Sequence, residues 1–159
     1  QEASRNAEYQ HMGTTLVCAV ARSDMAIIGN IGDSRAYHIT PEGIFQISRD
    51  HSVVENMVAK GDLTPLEART HPNRNLITRA LGPDIHAKAD TFELPWHKDE
   101  FLLLCSDGLV NTVSDQEMLF EVLHDGDVNE CLDHLLQISL QRGAPDNITA
   151  VLLLNEEGR

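Results

Sequence analysis

Apolar and polar positions alternate along this chain in two distinct ways. Between positions 16 and 47, apolar runs rich in β-branched residues are cut by short polar turns. Leu16–Ala21 and 26–30 flank Arg22-Ser23-Asp24, and 36–40 and 44–47 flank Pro41-Glu42-Gly43. That pattern predicts two antiparallel hairpins. Upstream, 3–10 has weak helical character. Downstream, Ser52 precedes a helical stretch over 53–60 that Gly61 stops, and Thr64-Pro65-Leu66-Glu67 reads as a capping box with proline at the first helical position. The stretch 70–84 has no clean period of either kind and reads as irregular and partly exposed. Strands are expected again at 91–94 and 101–105, the second apolar on both faces and therefore central in a sheet.

Ser114 with Glu117 then opens a helix to about His124. A second helix over 128–142 places Val128, Leu132, Leu135, Leu136 and Ser139 on one face and stops at Gly143, and a last strand covers 148–154. Strands, an irregular insert, strands, two helices and a strand predict an α+β fold with mostly antiparallel sheets and helices packed outside. A doubly wound parallel fold would need strand and helix to alternate. No repeat, low-complexity run or linker divides 1–159, so one domain is expected.

Composition narrows the function more than the fold. The 159 residues carry 12 Lys and Arg against 25 Asp and Glu, a net charge of −13, so a nucleic-acid backbone would be repelled. No apolar run is long enough to span a bilayer. Cys18, Cys105 and Cys131 form an odd set without a CxxC pair, which fits a reducing, cytoplasmic setting. A monomer is expected. The chain starts at Gln1, and its polar opening reads as cut from a longer protein.

Three segments share one layout, an apolar strand ending in an Asp among small residues: Ile31-Gly32-Asp33-Ser34, Cys105-Ser106-Asp107-Gly108 and the Asp146-Asn147 pair after Ala144-Pro145. A carboxylate so placed is unobstructed and lets backbone oxygens or water approach, as a hard cation requires. Carboxylate and water ligation suits Mg²⁺ or Mn²⁺ better than zinc. Asp-Gly and Asp-Asn are also ordinary turn pairs. Because Asp33 and Asp107 stand 74 positions apart and Asp107 and Asp146 stand 39 apart, a shared site requires that tertiary structure make their strands neighbours.

Gly13-Thr14-Thr15, Gly32-Asp33-Ser34-Arg35 with Tyr37, Asp50-His51-Ser52, Leu76-Ile77-Thr78-Arg79-Ala80-Leu81-Gly82, Cys105-Ser106-Asp107-Gly108-Leu109 and Asp146-Asn147-Ile148-Thr149 resemble, in order, the later motifs of the PPM (protein phosphatase 2C-type) family. The likeness is closest to its bacterial serine/threonine phosphatases and runs from His11 onward. It implies a β-sandwich with helices on both outer faces (αββα) and two Mn²⁺ or Mg²⁺ ions at one end. The positions of Asp107 and Asp146 would be metal ligands, and that of Asp33 would help hold a third, weaker ion.

The reaction so implied is hydrolysis of phospho-Ser and phospho-Thr in protein substrates, those of a cognate kinase, by metal-activated water and without a protein nucleophile. The segment at about 58–79 resembles the family's flap. The family's first motifs, an Arg, a Glu-Asp pair and Asp-Gly-x-Gly-Gly, have no counterpart before Gly13. The chain therefore reads as the C-terminal part of such a domain, expected by itself to bind metal weakly and turn over poorly.

Two histidines and one arginine are weaker candidates. His51 and His71 could protonate a leaving group, and Arg35 could contact phosphate or equally pair with an acidic neighbour. Asn147 reads as orienting Asp146, Cys105 as core, and His11, His97, His124 and His134 as surface or helix residues. Two further readings compete: a non-catalytic PPM-like binding module, if the upstream motifs are truly absent, and the sporulation and stress-response branch of the superfamily, against which the long flap-like insert argues.

Overall fold

The computed structural model describes residues 9, 12–82, 86–124 and 127–157. The weak helix expected at 3–10, His11, and Pro83 and Asp84 of the irregular segment therefore lie outside the described residues, apart from Tyr9. The chain runs β1 (Leu16–Ala21), β2 (Met25–Ile31), β3 (Arg35–Thr40), β4 (Gly43–Gln46), α1 (Val53–Lys60), α2 (Pro65–Thr70), β5 (Asp90–Pro95), β6 (Phe101–Cys105), α3 (Asp107–Val110), α4 (Asp115–His124), α5 (Val128–Gln141) and β7 (Ala150–Leu154).

Both expected hairpins form, but in different sheets. β1 pairs with β2 and β2 with β5 in a three-stranded sheet, while the order β4-β3-β6-β7 makes a four-stranded one. Every pairing is antiparallel. The sheets face each other across Ala26, Ile28, Ala36, Trp96 and Leu102, with Val17, Ala19, Phe92 and Leu94 packed alongside. On its other side the four-stranded sheet presents Tyr37, Ile39, Leu103 and Cys105 to Leu109, Met118, Val122, Cys131 and Leu135 of the helices. Alternate residues of β6 thus serve both cores, and Leu102 and Leu103 are each fully buried. That is why this strand reads as apolar throughout.

Among the described residues the helices α4 and α5 cover one outer face. The corresponding face of the three-stranded sheet keeps Leu16, Val20, Met25 and Ile27 exposed. The helix starts follow local chemistry. Ser52 Oγ accepts from the Glu55 N–H, Thr64 and Glu67 form the reciprocal capping box, and Ser114 does the same with Glu117.

Two expectations need correction. Leu136 is exposed, and the buried ridge of α5 runs through Cys131, Leu135 and Ser139, residues four apart that a helix stacks along one line. The last strand begins at Ala150 rather than 148, because 147–149 is drawn aside to Ser106. Ser106 Oγ donates to the Asn147 carbonyl at 3.2 Å and accepts from the Thr149 N–H at 3.0 Å. Among the described residues no helix is long and apolar enough to cross a membrane.

Candidate metal centre

β3, β6 and β7 are consecutive in one sheet, and their register places the three strand-end carboxylates at the same edge. Arg35 faces Cys105 across the β3–β6 pair, so Asp33, two residues before Arg35, and Asp107, two residues after Cys105, leave the sheet side by side. Cys105 in turn faces Ala150 of β7, and Asp146 lies in the loop just before that strand. The turn of α3 begins at Asp107 itself, a helical turn that a four-residue pattern could not reveal.

Local packing and hydrogen bonding fix the turns that carry Asp33 and Asp146. Gly32, at φ +109°, carries the chain from one sheet to the other, and a Cβ there would overlap the Thr15 side chain. Thr15 Oγ1 lies 2.9 Å from Ser34 Oγ. This contact joins the Gly13-Thr14-Thr15 and Gly32-Asp33-Ser34 motifs in space. Asp146 accepts from the backbone N–H of Asn147 at 2.7 Å, so Asn147 orients Asp146 through its main chain.

The carboxylates feel one another. Burial first, then the charge of Asp107 and also that of Asp50, push the Asp33 carboxyl above its ordinary value. Burial first, then the charge of Asp146, does the same to Asp107. Arg35 draws both back down by a lesser amount. Negative charge is thus gathered here faster than the protein neutralises it, a situation a divalent cation relieves.

Donor chemistry and electrostatics fit a hard cation. Among the described residues, however, no group of three or more His, Cys, Asp or Glu side chains is placed to hold a metal ion unaided. The residues present make part of a site.

A carboxyl whose folded pKa is raised costs nothing below its unfolded value near 3.8 and opposes folding fully above its folded value. Asp107→Asn is therefore expected to raise the thermal midpoint of the chelator-treated protein at pH 7, with the gain fading as the pH falls towards 3.8. Melting curves of both proteins across that range check this. A variant that melts lower at pH 7 would show that Asp107 is compensated already.

The weaker candidates are placed as follows. Arg35 pairs with an acidic neighbour: Nε and Nη2 both donate to Asp50, at 3.0 and 2.7 Å, and Nη1 donates to Tyr37 Oη at 3.0 Å. Its guanidinium is committed to that fork. His51 is only 6% exposed; its Nδ1 accepts from the Gly32 N–H at 3.0 Å and Nε2 lies 3.0 Å from Asp90 Oδ2. Both ring nitrogens are engaged inside the protein, so His51 is not poised to protonate a leaving group. His71 Nδ1 accepts from the Asn73 N–H within the 58–79 segment.

Cys105 lies in the core with its thiol pushed up to about 12 by burial, far from nucleophilic. No disulfide joins the three cysteines. His97, His124 and His134 are surface residues, as expected. Sequence reasoning missed Asp50 as the partner of Arg35 and Asp90 as that of His51. The first was accessible as the acidic residue of the Asp50-His51-Ser52 motif, whereas nothing local to Asp90 marks it.

The family model described as Protein phosphatase 2C matches residues 1–152. The Listeria monocytogenes serine/threonine phosphatase stp is 36% identical over 151 residues, which is 93% of this chain and 60% of that protein. The crystal structure of serine/threonine phosphatase Stp1 from Staphylococcus aureus superposes with a TM-score of 0.92 at 42% identity, over 96% of this chain and 60% of that one. The catalytic domain of serine/threonine protein phosphatase PstP in complex with two manganese ions superposes with a TM-score of 0.85 at 32% identity, over 95% and 62%. The chain thus spans about 60% of the length of the curated relative it matches.

Proposed function

The chain belongs to the protein phosphatase 2C family, and from that premise we propose that the whole protein is a Mn²⁺- or Mg²⁺-dependent phosphatase of phospho-Ser and phospho-Thr proteins. The observation that carries this reading is the convergence of Asp33, Asp107 and Asp146 at one sheet edge, where burial and neighbouring negative charge hold the Asp33 and Asp107 carboxyls above their ordinary values. Asp107 and Asp146 would hold two ions together with donors supplied from outside 1–159, and Asp33 would hold a further one. Residues 1–159 form one partial domain in this reading, and 58–79 forms a flap beside the site.

Bound ions of this kind acidify a water and neutralise phosphoryl oxygens. The chain's own residues do the rest. Asp107 and Asp146 accept positive charge at fixed positions, Ser106 ties their two loops together, and the Arg35–Asp50 fork stiffens the start of β3. With the Cys105 thiol buried in the core and far from nucleophilic, direct attack by water is the economical route. The protein substrates would be those of a cognate serine/threonine kinase, acting with a monomeric phosphatase in the cytoplasm, a reducing setting that suits a chain whose Cys18 and Cys105 form no disulfide.

The test is release of phosphate from phospho-Ser and phospho-Thr peptides by the protein that contains this chain with its upstream residues. Turnover is expected with Mn²⁺ and none with chelator. Metal-bound protein that binds phosphopeptide without releasing phosphate would overturn the reading in favour of a non-catalytic binding module.

A further inference from the structure

The buried imidazole of His51 joins two parts of the molecule that the catalytic reading leaves unconnected. Towards the site the residue bonds Gly32 once through its backbone and once through its ring: the His51 main-chain N–H donates to the Gly32 carbonyl at 2.8 Å, and the Gly32 N–H donates to His51 Nδ1 at 3.0 Å. Because Nδ1 is an acceptor, the proton of the neutral ring sits on Nε2, which donates to Asp90 Oδ2 at 3.0 Å. Asp90 Oδ1 receives Arg79 Nη1 at 2.6 Å, and the same Nη1 also donates to the Lys88 carbonyl and lies 3.0 Å from His51 Nε2, so ring, carboxylate and guanidinium meet at one point.

Arg79 ends the 58–79 segment, which contains α2. That segment is stitched to the same place by its backbone: the Thr78 N–H donates to the His51 carbonyl at 2.7 Å and the Val53 N–H to that of Leu76 at 2.9 Å. Beneath the turn, Asn30 Nδ2 donates to the Arg49 carbonyl, while Asn30 Oδ1 is buried without a partner among the described residues. The Gly32 carbonyl is thus held by the His51 backbone N–H and, at 3.4 Å, by Asn30 Nδ2, whereas the Gly32 N–H is held by the ring of His51.

We propose that His51 is a positioning residue, whose imidazole transmits the seating of the segment ending at Arg79, through Asp90, to the Gly32 turn that aims Asp33. This rests on the reading of Asp33 as a cation ligand. A histidine suits the task because one ring offers an acceptor and a donor about 2 Å apart on opposite edges. Fixing Nδ1 as acceptor and Nε2 as donor makes the two bonds mutually dependent. A loosened Arg79–Asp90 pair leaves the ring free to turn, and the Gly32 N–H then loses its partner.

Amide hydrogen exchange and Mn²⁺ titration of the protein test this, with the Leu103 amide in β6 reporting global opening. His51→Ala is expected to speed Gly32 exchange at least tenfold more than Leu103 exchange. His51→Asn, which can keep the acceptor at the Nδ1 position, restores most of the protection, and His51→Gln, which keeps only the Nε2 end, does not. Asp90→Ala and Arg79→Gln, both at half-exposed positions, are expected to speed Gly32 exchange severalfold and weaken Mn²⁺ binding severalfold, with no further Mn²⁺ effect in an Asp33→Asn background.

Equal behaviour of His51→Asn and His51→Gln, or Gly32 protection untouched by Asp90→Ala and Arg79→Gln, would overturn the proposal. Asp33→Asn that leaves Mn²⁺ binding unchanged would overturn the reading of Asp33 instead, while the exchange data still decide the role of His51.

Discussion

In the protein that carries this chain with its upstream residues, Asp107→Asn and Asp146→Asn are each expected to lower Mn²⁺-dependent hydrolysis of p-nitrophenyl phosphate by at least about a hundredfold. A metal acting as Lewis acid supplies several kcal/mol of transition-state stabilisation, and each ~1.4 kcal/mol is a tenfold change in rate. Asparagine keeps the size of the side chain but surrenders its charge, so the loss should come with weakened Mn²⁺ binding and no loss of folding. For Asp107 the fold should even gain when metal is absent, since burial and Asp146 both hold its carboxyl above the ordinary value. Lower activity together with a higher thermal midpoint in chelator is a combination that a merely damaged protein does not produce. Undiminished turnover in both variants would remove these aspartates from the chemistry.

Elements whose signals are local were legible in the sequence. The helix Val53–Lys60 carries its own start at Ser52 and its own stop at Gly61, and the strand Phe101–Cys105 carries its burial in its composition. What depended on distant partners was not. The β1–β2 and β3–β4 hairpins look alike as patterns, and nothing in either says that they belong to opposite sheets. That division is made at Gly32, by a positive φ and by the fit against Thr15. On α5 the pattern finds Leu135 and Ser139 and passes over Cys131, but adds Leu136, which is as apolar as Leu135. Only contact with Met118 and Val122 of α4 decides which of the two is buried.

The same division runs through the site. That Asp33, Asp107 and Asp146 end strands could be read directly, and that those strands are neighbours could not. His51 shows the limit best. Its sequence neighbours suggested chemistry, whereas its job is set by Asp90, 39 residues away.

Gly108→Ala separates propensity from packing at this site. Gly108 lies in a helical turn without a positive φ, so by helix propensity alone alanine should be better by about 1 kcal/mol. A Cβ at this position, however, would overlap the backbone carbonyl oxygen of Asn147 and crowd its carbon at 3.0 Å. A carbonyl cannot rotate aside as a flexible side chain can, so the 146–147 loop must move. Overpacking of this kind costs about 1–3 kcal/mol, which outweighs the propensity gain.

The displaced residue is the neighbour of Asp146, so the spacing between Asp146 and Asp107, which precedes Gly108, changes even though Ser106 anchors the same loop. Misplacement by about 1 Å in an active site is enough to cost about a hundredfold in rate. The variant is therefore expected to fold with a modestly lower denaturation midpoint, to bind Mn²⁺ less tightly and to lose at least tenfold in turnover. Chemical denaturation, Mn²⁺ titration and steady-state kinetics on one preparation read all three. A Gly108→Ala protein that is more stable, with Mn²⁺ affinity intact, would show that the approach of the Asn147 carbonyl is incidental and that the glycine serves only the turn.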